Sequence, residues 1–401
     1  MHYKSPLNIY VVWNPDFKDG KTYADLIYQT FNRDTEFALN RNLNIPVFYR
    51  SEPNAETKVP ISIPYEEAER NAVVVLIDDE LFHSTGWEKY VETQILEKTK
   101  DNPNNRVYPI ALSKNAYHLA EKELSVLQFI QADKIKNDDE SKKLKECWRL
   151  IRTRLLHDFA RLMYKIDSVG DSEDLEKSEG HEAIPKPAVK LFISHAKADG
   201  LNLAKKLRNY INNETQLDTF FDANNIADSY HSGKQMLGQF NENTAVIAVL
   251  SDKYATREWC RREIREAKRK KCPIVVLYQI DKGEIRSFPY LGNVPSLRWS
   301  KNLQDIIDLT LIQLLNARFA KEYLKKHLTM YGLNKRFQCI SFSNPPELFN
   351  YLEIIAEDEK DKKMGLVIYP DPPLGDEEIE ILSEVVPKVI ITTPSQSFQY
   401  L

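Results

Sequence analysis

The sequence predicts an α/β protein whose largely parallel sheets have helices on both faces. Short apolar runs rich in valine and isoleucine recur along the 401 residues, and longer stretches with helical periodicity separate them. Such alternation is typical of parallel strands that are joined by crossover helices. The chain is longer than one ordinary core requires, so we expect two or three domains.

The composition narrows the classes of function. Hydrophobic residues make up 42% of the chain and charged residues 28%, and the net charge of −4 gives no strong field for nucleic acid or acidic lipid. No run approaches the roughly 18 apolar residues of a membrane span. Four cysteines without a C-x-x-C pair argue against a disulfide framework and a thiolate zinc site. We therefore expect a cytoplasmic protein with no metal site and with no membrane or nucleic-acid partner.

The first domain is predicted at 1–166. It opens with a strand at 8–13 and a helix at about 22–31, and a long amphipathic helix at about 141–165 closes it. The strands between these helices are expected at 46–50, 72–78 and 107–112. An acidic linker is predicted at 167–187, because this segment holds seven carboxylates, two prolines and hardly any apolar side chains to bury.

The same scheme repeats in a second domain, which is predicted at 188–325 and ends in a helix at about 303–324. Its strands are expected at 189–194, 218–222, 244–250, 273–278 and 297–299. A small α/β unit, for which we find no family resemblance, is predicted at 335–401. Its strands are expected at 338–342, 365–369 and 388–392.

The first two domains resemble distant copies of each other. Residues 72–95 (AVVVLIDDELFHSTGWEKYVETQI) can be laid over residues 245–264 (AVIAVLSDKYATREWCRREI). Each segment has an apolar strand, a short polar turn and a helix with a tryptophan. One such match can arise by chance among α/β proteins, but the shared order of elements indicates a duplication.

Four pieces of the second domain resemble one known family. KLFISHAKADGLNLAKKLRNYI is similar to the opening strand, loop and first helix of TIR (Toll/interleukin-1 receptor-type) domains, and LDTFFDANNIADSYHSGKQM to their second strand and BB loop. AVIAVLSDKYATREWCRREIREA resembles the strand and helix with the family's W-C-x-x-E signature, and SLRWS the short strand before the last helix. The pieces follow one another in order over residues 188–317. The resemblance implies a flavodoxin-like fold for this domain and a degenerate TIR-like fold for the first.

The helix with the W-C-x-x-E signature places an acid beside an indole. Cys260, Ile264 and Ala267 fall at i, i+4 and i+7 and predict an apolar stripe that faces the sheet. Trp259 and Glu263 are also four residues apart and lie side by side, one step around the helix. Ligands of open parallel sheets bind outside the carboxyl ends of the strands, close to where this helix begins. We therefore expect Glu263 at the mouth of a cleft that has Trp259 as a wall.

The resemblance implies that Glu263 is the catalytic carboxylate of an NAD⁺ nucleosidase, a hydrolase or cyclase that cleaves the nicotinamide–ribose bond. Breaking this bond builds oxocarbenium character on the ribose, which a fixed carboxylate stabilises, while nicotinamide departs as a neutral leaving group. NAD⁺ is then the substrate, and no separate cofactor is expected. The resemblance also implies a bacterial antiviral or toxin effector that is activated when TIR domains assemble.

The resemblance implies further residues of the site. The predicted NAD⁺-binding residues are Ser194, His195, Lys197, Asp222, Ser251 and Trp259. Lys197 would meet a phosphate and His195 would stack on a base, because their loop leaves the first strand where the family's nucleotide contacts lie. Asp222 begins the BB loop and Gly233 closes it. In the family this loop reaches a neighbouring TIR domain, so we expect self-association through it.

Each assignment has a simpler alternative. A glutamate in the run RREIRE is ordinarily a solvated helix residue that pairs with arginines. Trp259 could belong to the core, and Glu266 is placed to pair with Arg262. The enzyme itself has two alternatives, a non-enzymatic adaptor that uses TIR–TIR contacts as a scaffold, and a hydrolase or transferase that acts on a nucleotide derivative other than NAD⁺.

The first domain departs from the family pattern. Four residues after Trp87 comes Val91, and Glu92 stands one place later. A shift of one residue rotates a side chain by about 100° around the helix, away from the tryptophan. No F-I-S-x loop or BB loop can be recognised there either. We therefore expect a domain without catalysis that serves regulation, oligomer contacts or ligand sensing.

Overall fold

The computed structural model describes residues 3–36, 42–83, 85–117, 128–164, 190–214, 218–220, 238, 240–241, 243–283, 288, 290–347, 350 and 364–401. The chain divides into two compact units. One unit comprises Met1–Met163 and Phe319–Gly332, and the other comprises Tyr164–Arg318 and Leu333–Leu401. The predicted acidic linker at 167–187 lies outside the described residues.

The first unit contains a parallel five-stranded sheet with the order β2-β1-β3-β4-β5. Its strands are β1 (Asn8–Val12), β2 (Val47–Arg50), β3 (Asn71–Ile77), β4 (Asn105–Ala111) and β5 (Ile130–Gln131). β1 and β3 are buried at every position. Burial on both faces explains why their sequences are nearly continuous apolar runs rather than alternating ones.

Helices and turns connect these strands. The helices are α1 (Gly20–Phe31), α2 (Asp79–His83), α3 (Thr85–Tyr90), α4 (Glu97–Thr99) and α5 (Glu140–Tyr164), with a π-helical segment at Val91–Leu96. Single 3₁₀ turns lie at Tyr65–Glu67, Lys114–Tyr117 and Ala132–Lys134. α1 buries Tyr23, Ala24, Ile27 and Phe31, since spacings of three and four residues collect side chains on one face of a helix.

The second unit contains another parallel five-stranded sheet, with the order β10-β9-β8-β6-β7. Its strands are β6 (Lys190–His195), β7 (Asp218–Phe220), β8 (Thr244–Ser251), β9 (Ile274–Gln279) and β10 (Ser296–Arg298). Its helices are α6 (Leu201–Glu214), α7 (Glu258–Arg269) and the part of α8 (Leu303–Met330) that precedes Phe319, and a 3₁₀ turn lies at Tyr254–Thr256. Counted along the chain, both sheets have the strand order 2-1-3-4-5, which is the flavodoxin-like order. The predicted fold class is therefore confirmed.

The shared strand order agrees with a duplication but does not identify the family of the first unit. Many unrelated α/β proteins use this order. A degenerate TIR-like origin of the first unit therefore stays a prediction.

The end of the chain forms a small parallel sheet with the order β11-β12-β13. Its strands are β11 (Gln338–Ser341), β12 (Gly365–Ile368) and β13 (Val389–Thr392), accompanied by α9 (Leu333–Arg336), α10 (Asp376–Val385) and a 3₁₀ turn at Ser397–Tyr400. Its core collects Phe342, Val367, Tyr369, Val386, Val389 and Ile391. All three strands lie within about a residue of their predicted bounds.

α8 continues beyond its predicted end at about 324, because its last turns have partners in the first unit. Arg70 is 5% exposed, and its guanidinium forms an ion pair with Glu322 at 2.8 Å. Lys326 pairs with Glu69. Arg70 and Glu322 are 252 residues apart in the sequence, so no local sequence pattern predicts this contact. The predicted domain bounds 1–166, 188–325 and 335–401 stay a prediction, since contacts alone do not define folding units.

Two further properties concern what the structure describes. None of its helices is long and apolar enough to cross a membrane. In the described ranges, no group of three or more histidine, cysteine, aspartate or glutamate side chains could hold a metal ion.

His157 on α5 gives the first unit a testable dependence of stability on pH. Burial, with smaller contributions from Arg154 and Arg161, lowers the pKa of His157 from 6.5 to about 4. The unfolded chain therefore binds a proton on this imidazole at a higher pH than the folded chain does. The sign follows: stability is lost as the pH falls from about 6.5 towards 4.

We predict that His157→Gln removes this loss. Relative to wild type, the free energy of unfolding of the variant should rise by up to about 3 kcal/mol between pH 7 and pH 4. Urea unfolding of both proteins at pH 7, 5.5 and 4 measures the difference, in which the titration of the acidic residues cancels. A difference that stays constant over this range would contradict the prediction.

Candidate active site

The end of β6 provides the first polar side chain of the site. β6 lies between β7 and β8, and its register pairs Ser194 with Ala248. The strand is buried from Leu191 to His195, and Ser194 is 1% exposed. Because Ser194 is the last residue but one of the strand, its hydroxyl lies at the carboxyl edge of the sheet, where ligands of parallel sheets bind.

α7 brings a carboxylate to the same edge. Cys260, Ile264 and Ala267 are buried, as their spacing predicts, and Glu263 is buried with them at 4% exposure. Position 263 lies three residues after 260 and four before 267, so it shares the face that packs inwards. Glu263 is therefore not the solvated surface residue that the simpler alternative describes.

A chain of hydrogen bonds ties Glu263 to the sheet. The hydroxyl of Ser194 donates to Oε2 of Glu263 at 2.5 Å. The phenol oxygen of Tyr254 lies 2.6 Å from the same serine oxygen. A serine hydroxyl has one proton to give, so Ser194, which donates to Glu263, accepts from Tyr254. The three side chains thus form a directed chain from Tyr254 through Ser194 to Glu263.

The titration behaviour of the neighbours supports this direction. Burial, together with the nearby Cys260 and Glu263, raises the pKa of Tyr254 well above its usual value. Tyr254 therefore keeps its proton and acts as a donor. Burial and the charge of Glu263 also raise the pKa of the Cys260 thiol. Cys260 is thus a neutral thiol, with its Sγ 3.5 Å from the backbone oxygen of His195, and not an activated nucleophile.

The predicted nucleotide-facing loop after β6 divides into a buried and an exposed part. His195 is 9% exposed, and its Nδ1 lies 3.4 Å from the backbone oxygen of Ile193. Lys197 is exposed. A contact of His195 with a base and of Lys197 with a phosphate stay predictions, to which the structure adds only that Lys197 can reach solvent.

Ser251 lies at the carboxyl end of β8, where its hydroxyl has a structural partner. It donates to Oδ1 of Asp199 at 2.6 Å, and the backbone N–H of Lys253 donates to Oδ2 of Asp199 at 2.8 Å. Asp199 therefore joins the loop after β6 to the loop after β8. A contact between Ser251 and NAD⁺ stays a prediction, while its contact with Asp199 orders the rim of the site.

A second aspartate orders the neighbouring loop in the same way. The carboxylate of Asp252 accepts from the backbone N–H groups of Asp281, Lys282 and Gly283. These donors lower the pKa of Asp252. Two carboxylates, Asp199 and Asp252, therefore cross-link the loops that follow β6, β8 and β9. These loops lie at the same carboxyl edge of the sheet as Ser194.

Trp259 does not belong to the buried core of the second sheet. It is half-buried, and the guanidinium of Arg262 lies 5.6 Å from the centre of its ring. Arg262 pairs with Glu258 at 3.2 Å, so the predicted pair of Arg262 with Glu266 is wrong. Glu266 pairs with Arg269 instead. A role for Trp259 as a cleft wall stays a prediction.

Two predicted residues cannot be compared with the structure, and two others were missed. Asp222 and Gly233, the ends of the predicted BB loop, lie outside the described residues. Sequence reasoning missed Tyr254 and Asp199, whose partners are 60 and 52 residues away. A weak signal existed for Asp199, since polar residues follow several neighbouring strands, whereas nothing in the sequence distinguishes Tyr254 from a core aromatic.

The first unit has no counterpart of the Ser194–Glu263 pair. In the first unit, Asn8 of β1 pairs with Asn71 of β3. In the second unit, Lys190 of β6 pairs with Thr244 of β8, so Asn8 corresponds to Lys190 and Asn71 to Thr244. The position of Ser194 is then taken by Val12. Nineteen residues after Asn71 comes Tyr90, as Glu263 comes nineteen after Thr244.

The same count bears on the comparison of the two tryptophans. Trp87 comes sixteen residues after Asn71, as Cys260 comes sixteen after Thr244, and Trp87 is buried at 3% exposure. Tyr90 donates its hydroxyl proton to the backbone oxygen of Ile61 at 3.0 Å. Glu92 is exposed. The first unit therefore has a buried phenol where the second has a buried carboxylate.

The small C-terminal sheet contacts α7 near the end of this helix. Lys268, whose side chain is 10% exposed, forms an ion pair with Glu347, whose side chain is 30% exposed. The ammonium of Lys271 lies 4.7 Å from the centre of the Phe342 ring. Both contacts connect the segment after β11 to the helix that holds Glu263, so this segment restrains the helix.

We predict that Lys268→Met lowers the free energy of unfolding by about 1–2 kcal/mol, because it leaves the partly buried carboxylate of Glu347 without its cation. Arg269→Met on the same helix is the matched control. Arg269 is 61% exposed, so its loss should cost less than about 1 kcal/mol. Equal midpoints of urea unfolding for the two variants would contradict the prediction.

The comparisons with known proteins bear on the second unit. Residues 191–308 match the family described as the TIR domain. The comparison with curated proteins finds no match.

Among solved structures, the chain is similar to tagatose-6-phosphate ketose/aldose isomerase from Escherichia coli, with 10% identity, a TM-score of 0.22 and coverage of 78% of this chain and 82% of that one. A putative isomerase of the same description from Clostridium novyi NT gives 10% identity and a TM-score of 0.22, with 78% and 79% covered. A putative phosphosugar isomerase from Silicibacter pomeroyi DSS-3 gives 9% identity and a TM-score of 0.21, with coverage of 80% of this chain and 87% of that one. At these TM-scores the likeness carries no argument.

The family match covers β6 through the first turns of α8, which include Ser194, Tyr254 and Glu263. Its bounds fall within the segment over which the sequence resembles this family. The match and the strand order of the second sheet agree, and residues 191–308 of this chain form a TIR domain.

Proposed function

We propose that the TIR domain cleaves the bond between nicotinamide and ribose in NAD⁺, with Glu263 as the catalytic carboxylate. One observation carries the proposal. A carboxylate that is 4% exposed lies at the carboxyl edge of a parallel sheet, where it accepts a hydrogen bond from Ser194. Burying a carboxylate costs free energy, and carboxylates buried at the edge of a sheet in this way are frequent at functional sites.

The proposed chemistry requires no acid to activate the leaving group. The bond between C1′ of the ribose and the nicotinamide nitrogen breaks, and its electron pair goes to the nitrogen, so nicotinamide leaves neutral. The ribose develops oxocarbenium character, which a nearby carboxylate stabilises. The oxygen of water then bonds to C1′ and loses a proton, which gives ADP-ribose. Attack by a nitrogen of the substrate's own adenine in place of water would give a cyclised product.

The hydrogen-bond chain suits Glu263 to this task. Because Ser194 holds Oε2, the plane of the carboxylate is fixed before substrate arrives. A carboxylate can accept about four hydrogen bonds, so the proposal has ribose hydroxyls donate to Glu263 in addition to Ser194. The buried setting strengthens the attraction between this negative charge and a cationic sugar. Ser194 and Tyr254 are in this scheme positioning residues, since they act through Glu263.

The resemblance to TIR domains supports two further parts of the proposal. The enzyme acts as an antiviral or toxin effector, and its activity rises when TIR domains assemble through the loop that begins at Asp222 and ends at Gly233. Assembly would complete a site of which one chain supplies Glu263. An adaptor without enzymatic activity is the competing function, and the experiment below separates the two.

We predict that Glu263→Gln lowers the rate of nicotinamide release by about 100-fold or more, because the amide keeps the shape of the side chain but loses its charge. Glu266→Gln, three residues further along α7, is the matched control and should keep at least half of the activity. The measurement is chromatography of nicotinamide after incubation of the full chain with NAD⁺, with and without a crowding agent.

The total NAD⁺ of cells that express each variant provides a second measurement. Wild type and Glu266→Gln should deplete it, and Glu263→Gln should not. If wild type releases no nicotinamide and leaves cellular NAD⁺ intact, or if both variants behave alike, the enzymatic proposal is wrong. Loss of function by Gly233→Glu but not by Glu263→Gln would then favour the adaptor.

Variants of the hydrogen-bond chain test the positioning roles. We predict that Ser194→Ala lowers kcat by about 10-fold and Tyr254→Phe by about 3-fold, each with little change in KM, because the carboxylate loses orientation rather than substrate contacts. Ser194→Thr, which keeps a hydroxyl, should restore part of the rate lost in Ser194→Ala. A rise in KM at constant kcat for either variant would contradict a positioning role.

A further inference from the structure

The first unit contains a cavity of its own, with a volume of about 590 Å³. Its walls come from the turn that ends at Tyr117, from β5 with the residues before it, and from α5. Small-molecule sites have volumes of about 300–1,000 Å³. The cavity is therefore large enough for a drug-sized metabolite and much larger than a bare inorganic anion requires.

One wall of the cavity is aromatic. The rings of Tyr117 and Phe129 lie with their centres 5.4 Å apart and are tilted by 50°. The hydroxyl of Tyr117 donates to Asp133 at 2.7 Å, and burial with this hydrogen bond raises the pKa of Tyr117 to about 12. The phenol is thus neutral and held in place. Two such rings provide a surface against which a planar group can pack.

The same cavity presents two cations. Lys134 and Arg154 line it, and within the described ranges neither side chain forms an ion pair. The charge of Arg154 has a visible effect, since it contributes to the lowered pKa of His157 one turn along α5. Two cations beside an aromatic wall, with the Asp133 carboxylate already bound by Tyr117, attract a ligand that is both anionic and planar.

We propose that this cavity binds a nucleotide, with its base against Tyr117 and Phe129 and its phosphate at Lys134 and Arg154. The side-chain amides of Gln128 and Gln131 also line the cavity. An amide offers both a donor and an acceptor, which is what the edge of a base requires. The proposal goes beyond cleavage of NAD⁺ and does not depend on it, because it concerns a unit that lacks the Ser194–Glu263 pair.

Other ligands fit the cavity less well. A purely apolar ligand would bury the two cations without a counter-charge, which costs free energy. Inorganic phosphate would satisfy the cations but leave the aromatic wall unused. A nucleoside would use the wall but leave the cations unpaired. Of these ligands and a phosphorylated nucleoside, the last uses both halves of the site.

Binding of AMP, adenosine and inorganic phosphate to the full chain tests the proposal by isothermal titration calorimetry. The protein carries Glu263→Gln in all samples, so that neither turnover nor a change at the TIR domain differs between variants. AMP should bind at one site at least 10-fold more tightly than adenosine or phosphate alone. Arg154→Gln and Lys134→Gln should each raise the Kd for AMP by about 5- to 20-fold, as expected for loss of one charged contact.

The matched control is Lys145→Gln, which removes an exposed cation of the same helix that does not line the cavity. Its Kd for AMP should stay within twofold. The thermal midpoint of each variant shows that it is folded, and Lys134→Gln, at an exposed position, carries the test if Arg154→Gln is unstable. The proposal is overturned if AMP does not bind, if phosphate binds as tightly as AMP, or if neither lining substitution raises the Kd. If neither Arg154→Gln nor Lys134→Gln changes the Kd, AMP binds to another part of the chain. This outcome does not depend on whether the TIR domain cleaves NAD⁺.

Discussion

The burial of one carboxylate constrains the arrangement of the second unit. A glutamate carboxyl group that is 4% exposed needs hydrogen bonds in place of water. Ser194 gives one, and Tyr254 orients the hydroxyl that gives it. These contacts require that β6, the turn after β8 and α7 meet at one edge of the sheet. The packing of α7 makes burial unavoidable, since the side that carries Cys260 and Ile264 inwards carries Glu263 as well.

In the loops at this edge of the sheet, aspartate carboxylates also take part in hydrogen bonds that hold the structure together. Asp199 holds Ser251 and the backbone of Lys253, and Asp252 holds the backbone of the loop after β9. Loop backbone has no ladder partners of its own, so its N–H groups need acceptors from elsewhere. Carboxylates supply them and keep the loops in one conformation. A carboxylate placed against so rigid a support needs little reorganisation when a positive charge develops in front of it.

The sequence predicted the strands well and the contacts between distant segments poorly. Strands such as β1, β3 and β8 are buried throughout, so their apolar runs mark them within a residue or two. β5 was missed because Ile130–Gln131 is too short to show a period. The hydrogen bond between Ser194 and Tyr254 and the extension of α8 depend on contacts between residues that are far apart in the sequence. No local sequence pattern predicts such contacts. Trp87 was matched to Trp259 by residue type, whereas counting from the first residues of β3 and β8 matches it to Cys260.

The two five-stranded sheets show how a common frame supports different chemistry. Both have the same strand order, yet Val12 and Tyr90 stand where Ser194 and Glu263 stand. At these positions the first unit has an apolar side chain and a phenol, and the second has a serine hydroxyl and a buried carboxyl group, so one strand order accommodates both. The same strand order can also have a binding site in a different place. In the first unit the cations and aromatic rings that line the cavity lie beside β5 and α5.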